Sequence, residues 1–385
     1  PGSGKVCDDS GKCTTDACDP KSGKCGSSPV FGCGGYCLDA SHCNDKNVCT
    51  DDSCTVANGA KSGKCAHANN TKTCDDGDGC TTGDLCTSGV CKGGEGAELS
   101  TLAGSGTQGY KDDNPKIAQF SSPAGVVVSA GLVVVADRNN HSLRRIAADG
   151  LVSTLAGTGK PGYNDGYGKL AAFYAPHDVT VDSKGNFYVA DTNNHRIRRV
   201  SPHGAVVTLA GSGKAGFKDG GSSDANFYFP RGVVATPLGA VFVADLSNHR
   251  LRRVAPDGQV TTIAGNGKPT SVDGNGINAS VAYPTAVALR ANGDLYFVEG
   301  SPSSRLRRVT QAGVVTTIAG NGDGVFDGVG ASARFHDPSG IVVDSGGAIL
   351  IADSKNHRIR KVSESGFVST LIGFGGFGFK DGGPG

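Results

Sequence analysis

The stretch that decides the fold is VADTNNHRIRRV, Val189 to Val200. Near-copies read VADRNNHSLRRI from Val135, VADLSNHRLRRV from Val243, VEGSPSSRLRRV from Val298 and IADSKNHRIRKV from Ile351. Their acidic residues, Asp137, Asp191, Asp245, Glu299 and Asp353, stand 54 residues apart without drift. Recurrence at such a period marks a repeat protein, whose units bury their apolar faces against one another.

One period resolves into four short apolar runs: DVTVDS from Asp178, NFYVAD from Asn186, HRIRRV from His195 and AVVTLAG from Ala205. Between them lie SKG, TNN and PHG, which are turn sequences. Four antiparallel strands per repeat predict one blade of a β-propeller, so the fold class is all-β. Complete blades are expected at about 124–157, 178–211, 232–265, 286–320 and 340–373, within a propeller spanning 98–385. Residues 98–104, ELSTLAG, read as a lone outer strand, and 374–385 as the start of another joining segment. That arrangement predicts a six-blade ring with five complete blades, its last inner strands following Gly385. The alternative is five blades with 98–104 as a surplus edge, free to pair with another molecule.

The joining segments share a DG turn and end in AQFSSP, AAFYAP, ANFYFP and ARFHDP; the fourth copy, SVAYP, departs. Phe120, Phe173, Phe227 and Phe335 are therefore expected between neighbouring blades. The third strand carries arginines (Arg196, Arg198 and Arg199 in one copy) and is placed nearer the solvent rim.

The repeated His141, His195, His249 and His357 invite a metal reading. Equivalent positions on a ring stay apart, so a structural role is expected instead. It is either a buried polar pair with Asp137, Asp191, Asp245 and Asp353, or a cap on the turn. The positions that converge lie after the repeated Pro, beside the central channel: Ala124, His177, Arg231, Thr285 and Ser339. This set does not repeat, and ligand sites favour such concave mouths. The candidate ligand-binding residues are His177, Asp178, Arg231, Thr285 and Ser339. A catalytic zinc takes three protein ligands, and the mouth offers one histidine. No catalytic residues are assigned.

All 14 cysteines fall between Cys7 and Cys91. They form four-cysteine groups Cys7, Cys13, Cys18, Cys25; Cys43, Cys49, Cys54, Cys65; and Cys74, Cys80, Cys86, Cys91, with Cys33 and Cys37 left over, able to pair with each other. Residues 1–91 are thus read as disulfide-rich repeats (about 7–25, 33–65 and 74–91), and 92–97 as a linker. The spacings C-x5-C and C-x4-C differ from the usual zinc knuckle, which favours disulfides and an oxidising, extracellular setting. Four cysteines allow three pairings, and the spacing does not choose among them. Asp75, Asp76, Asp78 and Asp84 surround CDDGDGCTTGDLC. They make a candidate calcium loop, although the closing Glu of an EF-hand is missing and solvated turns have the same composition.

The repeat unit, with STLAGTG and P-x-G-V-x-V around it, resembles the NHL-repeat family of β-propellers. The resemblance covers about three-quarters of the chain. The variety with long DG loops is mostly found in secreted and cell-surface proteins, including the teneurin propeller and bacterial surface proteins. CTTDACDPKSGKC, Cys13 to Cys25, resembles short extracellular-matrix repeats and implies a rod-like secreted module.

Composition adds exclusions. The 385 residues carry a formal net charge of +1, which gives no global attraction to nucleic acid. No apolar run approaches the roughly 18 residues of a membrane span. Pro1, with no Met anywhere, reads as a processed chain or a fragment. The expectation is a secreted structural or adhesive platform that binds protein or glycan, or copies of itself through edge strands or the cysteine-rich arm. No cofactor is required, with calcium as the candidate. The alternatives are a lyase or hydrolase at the channel mouth and, below it, an intracellular RNA reader.

Overall fold

The computed structural model describes residues 99–381 except 345, 374, 377, 379 and 380, together with the backbone of seven short strands between residues 14 and 92. The chain divides into two compact units, Pro1–Ala97 with Gly383–Gly385, and Glu98–Gly382.

The second unit is a ring of four-stranded antiparallel sheets. Their innermost strands are Pro123–Ser129, Pro176–Val181, Pro230–Ala235, Pro284–Leu289 and Pro338–Val343, which define blades 1 to 5. In blade 2 the chain continues through Phe187–Asp191, Arg196–Val200 and Ala205–Ala210 in strict spatial order. A short piece of the joining segment, Gly166–Tyr167, then pairs outside Ala205 and Val206 as a fifth strand. Blades 4 and 5 do the same, while blades 1 and 3 use the single bridges Asp113↔Val152 and Gly220↔Val260. The long DG loops therefore cover an edge that would otherwise be open to pairing.

The core lies between blades. Phe173 is fully buried in one cluster with Val134, Ala136 and Leu143 of blade 1 and Val179 and Phe187 of blade 2. Phe227 and Phe335 occupy the same place at the next interfaces. Blade 4, which lacks that Phe, has the smaller Val281 there. The lost volume returns through Phe297, where blade 2 has Val189 and blade 3 has Val243. A core tolerates such an exchange when total volume is kept.

The third strand departs from expectation. Its second arginine does not reach the rim: Arg144, Arg198, Arg252, Arg307 and Arg360 are completely buried. In blade 2, Arg198 donates to Asp191 at 2.7 Å and to Asp165 of the DG loop at 2.6 Å. It also donates to the carbonyls of Ala172 and Asn164 at 3.1 and 3.0 Å. Asp191 completes its shell with Asn194 and with the backbone N–H of Tyr174. The other blades repeat the pairing: Asp137, Asp245, Glu299 and Asp353 with their arginines, and Asp112, Asp219, Asp273 and Asp327 from the loops. A buried guanidinium is tolerable only when acceptors surround it; here both Nη groups of Arg198 are satisfied while its Nε has no partner, and the pairing fastens the joining loop to the blade.

The histidines are corrected likewise. The repeated Asp pairs with Arg and Asn, not with His. His141, His195, His249 and His357 sit at φ 49°, 53°, 52° and 53°, the left-handed position that ends each 3-10 turn. Nδ1 of His141 accepts from the backbone N–H of Ala175 in the next blade at 3.0 Å. His195 receives Phe229, and His249 receives Tyr283. In blade 4, Ser304 takes the role, with Asp337 as donor at 3.1 Å. His141, His195 and His249 are thus staples between consecutive blades as well as the ends of turns.

One side of the ring is uncovered. Val126 and Val128 of blade 1 are 59% and 66% exposed, whereas Val179, the counterpart of Val126 in blade 2, is 3% exposed. Near that side, Thr101 donates to Asp381 at 2.8 Å. This is the hydrogen bond that Thr262 makes with Asp219 and Thr317 with Asp273. The first and last described segments therefore meet through the bond that elsewhere links an outer strand to its DG loop.

In the first unit, the strand backbone forms hairpins in which Cys18 faces Cys25, Cys54 faces Cys65 and Cys86 faces Cys91. The cysteine side chains, and Asp75, Asp76, Asp78 and Asp84, lie outside the described residues. Among the described residues no helix is long and apolar enough to cross a membrane.

Candidate functional site

Every innermost strand begins at the repeated Pro and shifts register just after it, between Pro176 and Asp178 in blade 2 and between Pro123 and Val126 in blade 1. That irregularity turns the residue after Pro toward the channel. The next position is small in the other blades (Gly125, Gly232, Ala286 and Gly340), because neighbouring inner strands nearly touch. A Cβ on Gly232 would lie 2.5 Å from the Cα of Ala286. Blade 2 alone has a carboxylate at this position, Asp178.

Asp178 is partly buried and bridges two blades. Its oxygens accept from the N–H groups of Val179 at 2.9 Å and of Val233, in blade 3, at 2.8 Å. Burial pushes its carboxyl up to about 6, against the pull of those two N–H groups and Arg231. His177 beside it is pushed the other way, to about 3, by burial and then by the charges of Arg231 and Arg138. It is a neutral imidazole at any physiological pH. Its Nε2 accepts from Nε–H of Arg231 at 2.9 Å, so the proton of the ring sits on Nδ1.

The structure brings His177, Asp178 and Arg231 together. Thr285 and Ser339 line the same channel, but their hydroxyls are engaged within the ring. Thr285 donates to the carbonyl of Pro338 in blade 5 at 2.7 Å, and Ser339 is hydrogen-bonded to Ser354. Sequence reasoning missed Arg138. It opens the turn after the second strand of blade 1, and its charge depresses both His177 and Arg231. The available signal was its break with the repeat, since blades 2, 3 and 5 have Thr192, Leu246 and Ser354 there. The cavity has a volume of about 740 Å³ and runs from this mouth along the channel onto the uncovered face of blade 5.

The site does not suit a metal. Among the described residues no group of three or more His, Cys, Asp or Glu is placed to hold one. The one ring nitrogen of His177 with a free lone pair is already capped by a guanidinium. The carboxylate of Asp178 is spent on backbone N–H groups.

The sequence profile of the NHL repeat matches residues 120–146, 173–199, 227–254 and 335–362. The fold is an NHL-type β-propeller. The profile skips blade 4, where Glu299 and Ser304 replace the usual Asp and His. The NHL propeller is similar to NHL repeat-containing protein 2 of Homo sapiens, at 28% identity over 71% of this chain and 43% of that protein. It is also similar to Teneurin-4 of Homo sapiens, at 26% identity over 61% of this chain and 10% of that protein. The chloroplastic protein SUPPRESSOR OF QUENCHING 1 of Arabidopsis thaliana is 33% identical over 39% of this chain and 16% of that protein. The chain therefore spans less than half the length of each of these relatives. A solved gluconolactonase of Xanthomonas campestris superposes at a TM-score of 0.48 and 16% identity, over 68% of this chain and 77% of that one. That likeness is too distant to bear on chemistry.

Proposed function

We propose that the chain is a secreted or cell-surface binding module, in which the NHL propeller is a rigid platform for a protein or glycan and the cysteine-rich arm a stalk. The observation that carries this reading is the cap on His177. The imidazole most able to act as a ligand or base at the channel mouth has its lone pair occupied by Arg231. A base so engaged, in a ring pushed to about 3, accepts protons poorly. The buried Asp–Arg pairs and His staples make the ring stiff, which suits a surface that presents contacts. The arm's cysteine count and the resemblance to surface-protein propellers support the extracellular setting.

Two measurements test it. Non-reducing peptide mapping should find no free thiols from Cys7 to Cys91 in native material; free thiols throughout would return the chain to a reducing compartment. Screening with lactone and peptide substrates, with divalent metals added, should give no turnover. A rate abolished by His177→Ala would replace the platform with a catalyst.

A further inference from the structure

We propose that the channel mouth between blades 1, 2 and 3 binds a small carboxylate, gripped between the guanidinium groups of Arg138 and Arg231. The proposal deepens the binding-module reading and rests on it.

Two breaks in the repeat converge here from different blades. Arg138 stands where blades 2, 3 and 5 have Thr, Leu and Ser, and Arg231 where the other blades have Ala, His, Thr and Ser. Both line the same cavity as His177. Arg231 is held in place by donating its Nε–H to His177, a bond that does not use its Nη groups. Among the described residues neither guanidinium has a carboxylate within ion-pair distance. This contrasts with the five core arginines, each of which has two.

Two like charges in one cavity repel: Arg231 is depressed chiefly by burial and, to a smaller degree, by Arg138. An oxyanion between them relieves that repulsion, and a carboxylate matches the guanidinium fork in two parallel hydrogen bonds. Two acidic groups also act on Arg231, Asp337 of the rim and the partly buried Asp178. They offset part of the positive charge, so the site suits a singly charged ligand better than a phosphate dianion. The neutral His177 adds no third cation.

The test is titration calorimetry of the full chain with D-glucuronate at pH 7.5, beside D-glucose and inorganic phosphate. Glucuronate should bind, glucose should not, and phosphate should bind more weakly. Arg138→Gln alters a half-exposed side chain outside the core and should weaken glucuronate at least about tenfold. Arg231→Lys keeps the charge but loses the fork and should also weaken it. Arg199→Gln, on an exposed face, should change nothing. Binding that ignores Arg138→Gln and Arg231→Lys, or equal binding of glucose, overturns the proposal, and tighter binding of phosphate overturns the carboxylate assignment. Partner capture that persists unchanged in Arg138→Gln, with no glucuronate binding by the wild type, sinks this site while leaving the platform reading intact.

Discussion

The hydroxyl of Thr101 donates to the carboxylate of Asp381 at 2.8 Å, across 280 residues of chain. Elsewhere the same bond joins an outer strand to the DG loop that covers it, as Thr154 does with Asp112 and Thr208 with Asp165. The two ends of the described ring are thus joined by the same side-chain bond. Replacing Asp381 with Ala should speed amide exchange at residues 99–104 and leave blade 3 unaffected. Equal protection in both proteins would mean that the outer strand is held by something other than its loop.

The buried arginines set the largest stability effects. Arg198→Ala leaves Asp191 without its cation in the core and should cost about 3–5 kcal/mol. Its neighbour Arg199 is exposed, and Arg199→Ala should cost no more than about 0.5 kcal/mol. Urea unfolding of the two variants separates them. Similar midpoints would contradict the assignment of one arginine to the core and the other to the surface.

His195 links blade 2 to blade 3 through the N–H of Phe229 at 3.2 Å. His195→Ala leaves that donor unpaired and puts a non-glycine residue with no polar side chain at φ 53°. A loss of about 1–2 kcal/mol is expected. His203→Ala, at an exposed turn, is the control and should be near neutral.

Asp178 gives a pH dependence of unusual sign. Its carboxyl rises from 3.8 to about 6 on folding, chiefly through burial. The folded chain then holds this proton more tightly than the unfolded chain. Between pH 3.8 and about 6 the contribution of Asp178 to stability therefore falls as pH rises, and above that it is a constant penalty. The penalty is of the order of 3 kcal/mol. Acid-sensitive groups elsewhere, such as the DG-loop Asp273, whose carboxyl is lowered by its hydrogen bonds and Arg307 despite its partial burial, pull the other way. The informative quantity is the difference between wild type and Asp178→Asn, followed from pH 4 to 8. A difference independent of pH would show that Asp178 titrates normally.

The three hairpins of the cysteine-rich arm place the third and fourth cysteines of a group opposite each other every time. Directly opposed strand residues have the Cα separation a disulfide needs. Mapping should find Cys18–Cys25, Cys54–Cys65 and Cys86–Cys91. Any other partner for Cys54 would break the pattern.

Much of the ring was legible because a repeat reports its own geometry. The 54-residue interval, the four apolar runs and the aromatic before each Pro specify sheets, their order and the wedge between them. The arginine row was misplaced for an equally physical reason. Arg normally marks a surface, and nothing in RIRRV shows that Arg198 turns inward while Arg199 turns outward. The strand's alternation decides which one faces in, and the acceptors that make burial possible come from Asp165, 33 residues away. The histidine staples were hidden similarly, since their partners are backbone N–H groups of the following blade, which no side-chain pattern reveals.

By itself the sequence determined that this chain builds radial four-stranded sheets, and which residues stand first at the channel. The tertiary structure alone decided which of those residues meet. His177, Asp178 and Arg231 share a site because adjacent inner strands nearly touch, while Thr285 and Ser339 spend their hydroxyls on the ring. Arg138 joins them from another turn of another blade. Burial and neighbouring charge then set the protonation of His177 and Asp178, and both quantities exist only once the blades are packed.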